Sequence, residues 1–203
     1  MEQPDDFTLW SEFRAGNHQA FSTIYSKFFP ALYNYGEKFT AQPEIVEECV
    51  QQLFVELWQS REKLSNIHAI KPYLYKSFRR KLIRYLKQNT SYLQQPLQPV
   101  FAATVSREVE IMNAERSSFQ AKLLNDALIK LSDRQREAIF LKFYDKLSYP
   151  EISKILDCEP KTAYDLVFKG VKKMRSVMPR KEIVLLSFAT AILYLLISLL
   201  RIL

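Results

Sequence analysis

Glycine is scarce in this chain, with 3 in 203 residues. That leaves no glycine-rich loop able to cradle a phosphate, and no segment alternates with strand period over a useful length. Cysteine is equally thin. Cys49 and Cys158 fall on predicted helices of different modules, and neither has a second cysteine or histidine at metal-ligand spacing. They read as buried or half-buried free thiols of a reducing cytoplasm. His18 and His68 stand alone, and no serine, cysteine or carboxylate pair has a catalytic context. We therefore expect no catalytic residues, no metal and no cofactor. The first residues, Met1–Asp6, are polar and acidic, which argues against a secretory signal peptide.

What the chain does have is apolar residues at helical spacing and charge in blocks. About half of it is hydrophobic (48%), enough for one domain or two small ones. Residues 1–60 hold 3 basic and 9 acidic groups, whereas 61–95 hold 9 basic and 1 acidic. Residues 96–130 balance at 4 and 4, and 131–203 hold 13 basic and 8 acidic. Two basic blocks separated by a neutral stretch imply two contacts with one polyanion.

The N-terminal half predicts four helices. Phe7 to Gly16 is short and amphipathic, capped at Thr8 or just before it. Asn17 caps a second helix with Phe21, Ile24, Tyr25, Phe28, Leu32, Tyr35 and Phe39 in step, which Pro30 kinks or divides. Gln42-Pro43-Glu44 starts a third, running to Trp58. Its inner face is Ile45, Cys49, Leu53, Phe54 or Val55, and Leu57; Phe54 and Trp58 are core residues by periodicity. After a loop over Ser60–Lys71, Pro72 opens a fourth helix to Lys87. Its apolar stripe is Leu74, Phe78, Leu82 or Lys81, and Tyr85, and Lys76, Arg79, Arg80, Arg84 and Lys87 stud its other side. So many cations on one helix call for an anionic partner. Tyr73 and Tyr75 among them fit single-stranded nucleic acid, whose bases stack on rings while cations hold phosphates.

Asn89–Ser106, rich in glutamine and proline, reads as a flexible linker. Val109–Leu131 is a weakly amphipathic lead-in helix. Leu131–Met174 then reads as a helix-turn-helix module. Ser132 stands three residues before Gln135 and Ser148 three before Glu151, each the pattern of a capping box, with Pro150 in a first turn. Ile152, Ile155 and Leu156 mark a buried stripe. In the last helix, opened by Pro160, Ala163, Leu166 or Val167, Gly170 and Met174 share one side, leaving Lys161, Thr162, Asp165, Lys169, Lys172 and Lys173 elsewhere. From spacing alone, a major-groove reader and a plain helical hairpin with a solvated basic face both fit.

Two blocks carry a family resemblance. Leu131-Ser132-Asp133-Arg134-Gln135-Arg136-Glu137, Leu147 to Leu156, and Lys172-Lys173-Met174-Arg175 resemble the C-terminal domain of bacterial extracytoplasmic-function sigma factors, of the sigma-70 superfamily. Val46-Glu47-Glu48-Cys49-Val50-Gln51-Gln52-Leu53-Phe54-Val55-Glu56-Leu57-Trp58 resembles the sigma helix that docks on the clamp helices of RNA polymerase. Tyr73-Leu74-Tyr75 to Lys87 resembles the helix beside the melted promoter element. The resemblance implies that Glu47, Glu48, Gln51 and Phe54 bind polymerase. It implies that Tyr73, Tyr75, Lys76, Arg79, Arg80 and Arg84 bind the melted element, and that the loop Leu64–Lys71 holds a flipped base. Lys161, Thr162, Tyr164, Asp165, Lys169 and Lys172 would bind the upstream duplex. The recognition helix departs from the family, which commonly has threonine-valine-lysine-serine-arginine where this chain has Thr162-Ala163-Tyr164-Asp165-Leu166. The departure leaves the docking mode that the resemblance implies, but not the bases read.

Outside the resemblance, Ile183–Leu200 carries no charge over a length near that of a bilayer core and follows a cluster of cations. This predicts a membrane anchor, with a helix packed on the protein or a partner as the alternative.

The expected fold is all-α, with two small helical domains joined by a flexible linker. The boundaries are 1–88 for the N-terminal domain, 89–117 for the linker and lead-in helix, 118–178 for the helix-turn-helix domain, and 183–203 for the apolar tail. The expected function is that of a cytoplasmic sigma factor, tethered to the inner membrane by its tail. Its partners would be core RNA polymerase, promoter DNA and an anti-sigma factor. A helix-turn-helix regulator binding duplex DNA without polymerase is the alternative. A membrane signalling adaptor whose basic faces meet anionic lipid is a third class.

Overall fold

Local punctuation decides where the helices begin and end. The computed structural model describes residues 5–89 and 126–177. Helix α1 (Asp6–Arg14) is capped by Asp5, whose carboxylate accepts the Thr8 N–H at 2.8 Å. It closes at Gly16, where φ is +88°, a left-handed conformation that costs glycine nothing. The Gly16 N–H donates to Phe13 and the Asn17 N–H to Glu12, the paired closure of a helix C-terminus. Asn17 then caps α2 (His18–Gly36) by accepting from the N–H groups of Gln19 and Ala20. Pro30 neither ends nor divides α2. Burial of Ile24, Phe28, Leu32 and Tyr35 along one face outweighs the single hydrogen bond that proline removes.

Helix α3 (Pro43–Ser60) follows, then a 3₁₀ turn over Arg61–Lys63 and α4 (Ile70–Asn89). The last starts two residues earlier than the sequence predicts, placing Pro72 in its first turn, where a missing N–H is no loss. Val46, Cys49, Leu53, Phe54 and Leu57 of α3 meet Ile70, Leu74, Phe78, Leu82 and Leu86 of α4 in the core. Of the two readings left open for α3, Phe54 is the buried residue and Val55 the exposed one. In α4, Leu86 rather than Tyr85 completes the buried stripe. At Gly36 the three helices pack so tightly that a Cβ would lie 2.5 Å from Val46 Cγ1 and 2.8 Å from Phe78 Cζ.

The second module follows a helical stretch over residues 126–129. It comprises α5 (Asp133–Phe143), α6 (Tyr149–Ile155) and α7 (Pro160–Val177). Both expected capping boxes are formed, Ser132 with Gln135 and Ser148 with Glu151. Two tight corners use left-handed non-glycine residues, Lys146 (φ 59°) before α6 and Asp157 (φ 48°) between α6 and α7. Arg134 ties the second corner to α5 by donating to the Leu156 carbonyl at 2.9 Å. Ala163, Val167 and Gly170 form the inward side of α7, as the spacing predicts.

The two modules also pack on each other, with α4 against α6 and Tyr35 of α2 stacked on Phe140 of α5 at 6.0 Å. The architecture is all-α, two helical units with a C-terminal helix-turn-helix. The expected linker, 89–117, and apolar tail, 183–203, lie outside the described residues but for Asn89. The expectation of a membrane anchor and inner-membrane tethering is corrected: among the described residues no helix is long and apolar enough to cross a membrane. The described helices bury one face and hydrate the other, whereas a lipid-spanning helix is apolar all round.

Candidate nucleic-acid interface

The basic helix α4 presents two different surfaces. Arg80 and Arg84 are exposed, and with Arg79, Ile83, Lys87 and Gln88 they line an open groove of about 490 Å³. Tyr73 is half-buried, its ring edge-on to Trp10 at 5.2 Å. The loop before α4 is fastened to α1. The Trp10 indole N–H donates to the Ser65 carbonyl at 2.9 Å, Arg14 bonds Asn66, and Phe7 stacks on His68. Asp6 accepts the Ile70 N–H at 2.9 Å and so holds the start of the helix.

The other surface of α4 faces the second module. The Tyr75 ring is fully buried and its hydroxyl donates to Asp145 Oδ1 at 2.7 Å. Arg79 donates to both oxygens of Glu137, from Nε at 2.6 Å and from Nη2 at 3.0 Å. Tyr35 donates to the same carboxylate at 2.5 Å. The side chains of Arg79 and Glu137 are only 18% and 3% exposed. Burial alone would weaken the guanidinium's hold on its proton, but the hydrogen bonds and charge of Glu137 outweigh it and raise the pKa. Burial first, and then the Glu137 charge, keep the Tyr35 hydroxyl protonated well above the ordinary tyrosine range. At the rim, Asp157 receives Lys76 at 2.6 Å and Arg80 at 3.1 Å. Hydrogen bonding from Lys76, and then from Arg80, carries its pKa below the usual carboxylate value despite slight desolvation.

Three acids of the second module, Glu137, Asp145 and Asp157, thus meet cations and tyrosines that the sequence assigned to a melted strand. Sequence reasoning missed all three. Asp145 and Asp157 are ordinary polar positions at corners, and only Glu137, inside α5 and in line with the inward Ala138 and Leu141, hints at burial.

On α3, Glu47, Glu48 and Gln51 are exposed, whereas Phe54 is 2% exposed and belongs to the core. Gln51 bonds Glu47 at 3.0 Å and Gln52 bonds Glu48 at 2.9 Å, one helical turn apart. Beside them His18, Phe21, Tyr25, Phe54, Val55 and Trp58 border an aromatic groove of about 480 Å³. Cys49 of the same helix is buried, its thiol pushed up to about 11 chiefly by burial, and therefore inert at neutral pH.

On α7 the outward residues are Lys161, Thr162, Tyr164, Phe168, Lys169, Lys172 and Lys173, with Asp165 half-buried and 3.9 Å from Lys169. All six residues expected to touch the upstream duplex lie on this helix. Phe168 is a further one, unassigned from sequence. Its place four residues after Tyr164 and off the inward stripe was the signal that could have found it.

A bipartite helical protein with a basic helix in its first module and a helix-turn-helix in its second is the class that fold and site define. The comparisons narrow it. Residues 24–92 match Sigma-70 region 2 and residues 121–174 match Sigma-70, region 4. The chain is 23% identical over 176 residues to the ECF RNA polymerase sigma-E factor of Haemophilus influenzae, covering 83% of this chain and 93% of that protein. Its fold is similar to CnrH in its complex with the cytosolic domain of CnrY (TM-score 0.58, 18% identity, 85% of this chain and 96% of that one). It is also similar to the sigma factor RpoE in complex with the anti-sigma factor NepR from Bartonella quintana (TM-score 0.54, 20% identity, 77% and 95%). The chain belongs to the extracytoplasmic-function sigma factors of the sigma-70 superfamily, a family of non-catalytic regulatory proteins.

Proposed function

We propose that this chain directs core RNA polymerase to particular promoters and assists their opening. The observation that carries the reading is the pair of sigma regions in family order, the second folded as a helix-turn-helix with a basic outward face on α7. Domains at 1–88 and 118–178, with a linker and lead-in at 89–117, fit that division of labour. In this reading Glu47, Glu48 and Gln51 meet the polymerase clamp, with Phe54 supporting the same helix from beneath. Tyr73 and Arg84 meet the melted strand while the modules are packed together as here, joined by Arg80 when it leaves Asp157. Tyr75, Lys76 and Arg79 join them once the modules separate. Lys161, Thr162, Tyr164, Asp165, Lys169 and Lys172 meet the upstream duplex.

Partnership with an anti-sigma factor is supported by RpoE, whose similar fold is seen with NepR. Run-off transcription with purified core polymerase tests the function. Templates transcribed only when the chain is added are the expected result. Tight, sequence-selective binding of duplex DNA that is indifferent to core enzyme, with no added transcription, would favour a free-standing regulator instead.

A further inference from the structure

The outward side of α7 is unusual in carrying two large rings. Tyr164 is 47% and Phe168 54% exposed. They stack with centroids 5.8 Å apart and planes 11° from parallel. Tyr164 in turn stands edge-on to Tyr149 of α6 at 5.3 Å, and the Lys142 ammonium of α5 sits 4.6 Å over the Tyr149 ring. One ladder, cation then three rings, thus runs from α5 across both helices of the helix-turn-helix. Each rung fixes the next, so Phe168 is held out in water in a defined position.

Exposed rings stacked into one contiguous patch mark a contact surface, where single exposed rings would not. The charge around them names its class. Lys161, Lys169, Lys172 and Lys173 are all exposed on the same helix, so the partner is a polyanion. The helix-turn-helix geometry makes that polyanion a DNA duplex entered by α7 through the major groove. Within that groove the thymine C5-methyl group is the apolar feature of a base edge. Phe168 has no polar atom and can read nothing else there. Arginine, which makes the commonest specific contact with guanine, is absent between Pro160 and Lys173.

We infer that this chain, if it is the promoter reader proposed above, recognises its upstream element through thymine methyl groups packed against Phe168 and Tyr164. Tyr149 and Lys142 are positioning residues that hold the Tyr164 ring. The flanking lysines bind phosphate and carry no sequence information.

The test uses the full chain with core polymerase. Transcribed templates are selected from a pool of randomised promoter duplexes, and each upstream thymine of a selected template is replaced singly by deoxyuridine. This change removes the methyl group and leaves the base pair. Binding by the polymerase complex should fall about three- to tenfold at one or two positions, the worth of one buried methyl contact. At one of these positions at least, the Phe168→Ala chain should bind thymine and uracil templates equally, whereas Phe168→Leu should keep the preference there. Both rings are exposed, so these variants keep the fold, which thermal melting checks.

A thymine-to-uracil ratio near one at every upstream position would overturn the inference while leaving the sigma function intact. So would a Phe168→Ala chain that keeps the preference at every such position. Self-association of the chain that Phe168→Ala abolishes, with no thymine preference, would assign the ladder to a second copy. Failure to select any template above core polymerase alone would overturn the proposed function and this inference together.

Discussion

Replacing Glu137 by glutamine should loosen the two modules from each other. The carboxylate is 3% exposed and accepts three hydrogen bonds, two from Arg79 and one from Tyr35. Glutamine keeps the shape and can still accept from Tyr35. Its amide NH₂, however, faces a guanidinium N–H, donor against donor, and the charge balancing Arg79 is gone. Breaking a buried ion pair from one side costs roughly 3–5 kcal/mol. Because Arg79 retains 18% exposure, about 2–3 kcal/mol is the better expectation here. The other polar ties across the seam are weaker. The rim contacts of Asp157 are solvent-screened and worth under about 1 kcal/mol each, the Tyr75–Asp145 hydrogen bond about 1–2 kcal/mol, and the part-exposed Lys71, 3.6 Å from the same carboxylate, about 1 kcal/mol. Glu137→Gln should therefore shift the closed–open balance some thirty- to hundredfold toward open, at roughly 1.4 kcal/mol per factor of ten. Dyes placed on exposed sites of α2 and α7 would report the separation by energy transfer, and small-angle scattering would report the expansion. Each module should keep its helical signal. An unchanged inter-module distance in the Glu137→Gln chain would refute the reasoning and assign the seam to its apolar contacts, Tyr35 against Phe140 foremost.

Two further perturbations follow from single sites. Burial raises the Asp145 pKa, only partly offset by the Tyr75 hydrogen bond and by Lys71, and one of its oxygens has no partner. A carboxylate whose folded pKa lies above its unfolded value stabilises the fold below the unfolded value and loses that contribution as pH rises through the folded one. Asp145→Asn, which cannot ionise, should thus rise in melting temperature relative to the wild type between pH 4 and pH 7; a variant-minus-wild-type difference that stays constant or falls would contradict this. Gly36→Ala must push its new methyl into Val46 and Phe78. Overpacking there should cost about 1–3 kcal/mol, read from the denaturant midpoint, and an unchanged midpoint would mean that α2 can shift freely.

The sequence by itself determined what depends on neighbours within a turn or two of helix. Asn17, Ser132 with Gln135, and Ser148 with Glu151 cap helices because a side chain and the backbone donors it satisfies lie two or three residues apart. The inward side of α7 and most of the α2 and α3 cores were legible for the same reason, since helical period is a local property. The order of the two sigma blocks was equally visible, and with it the family. Tertiary structure alone decided which way α4 turns its polar residues. Tyr35 and Glu137 are 102 positions apart, Tyr75 and Asp145 70, and Arg79 and Glu137 58. No pattern along the chain announces that a second module will bring acids to those cations. Periodicity put Arg79 on the basic side of α4, opposite its apolar stripe, and Tyr75 among the cations. It could not say whether water, nucleic acid or the chain's own carboxylates would meet them there. Phe54 and Val55 show the same limit on a smaller scale: adjacent apolar residues on one helix, separated only by where α2 and α4 press against it.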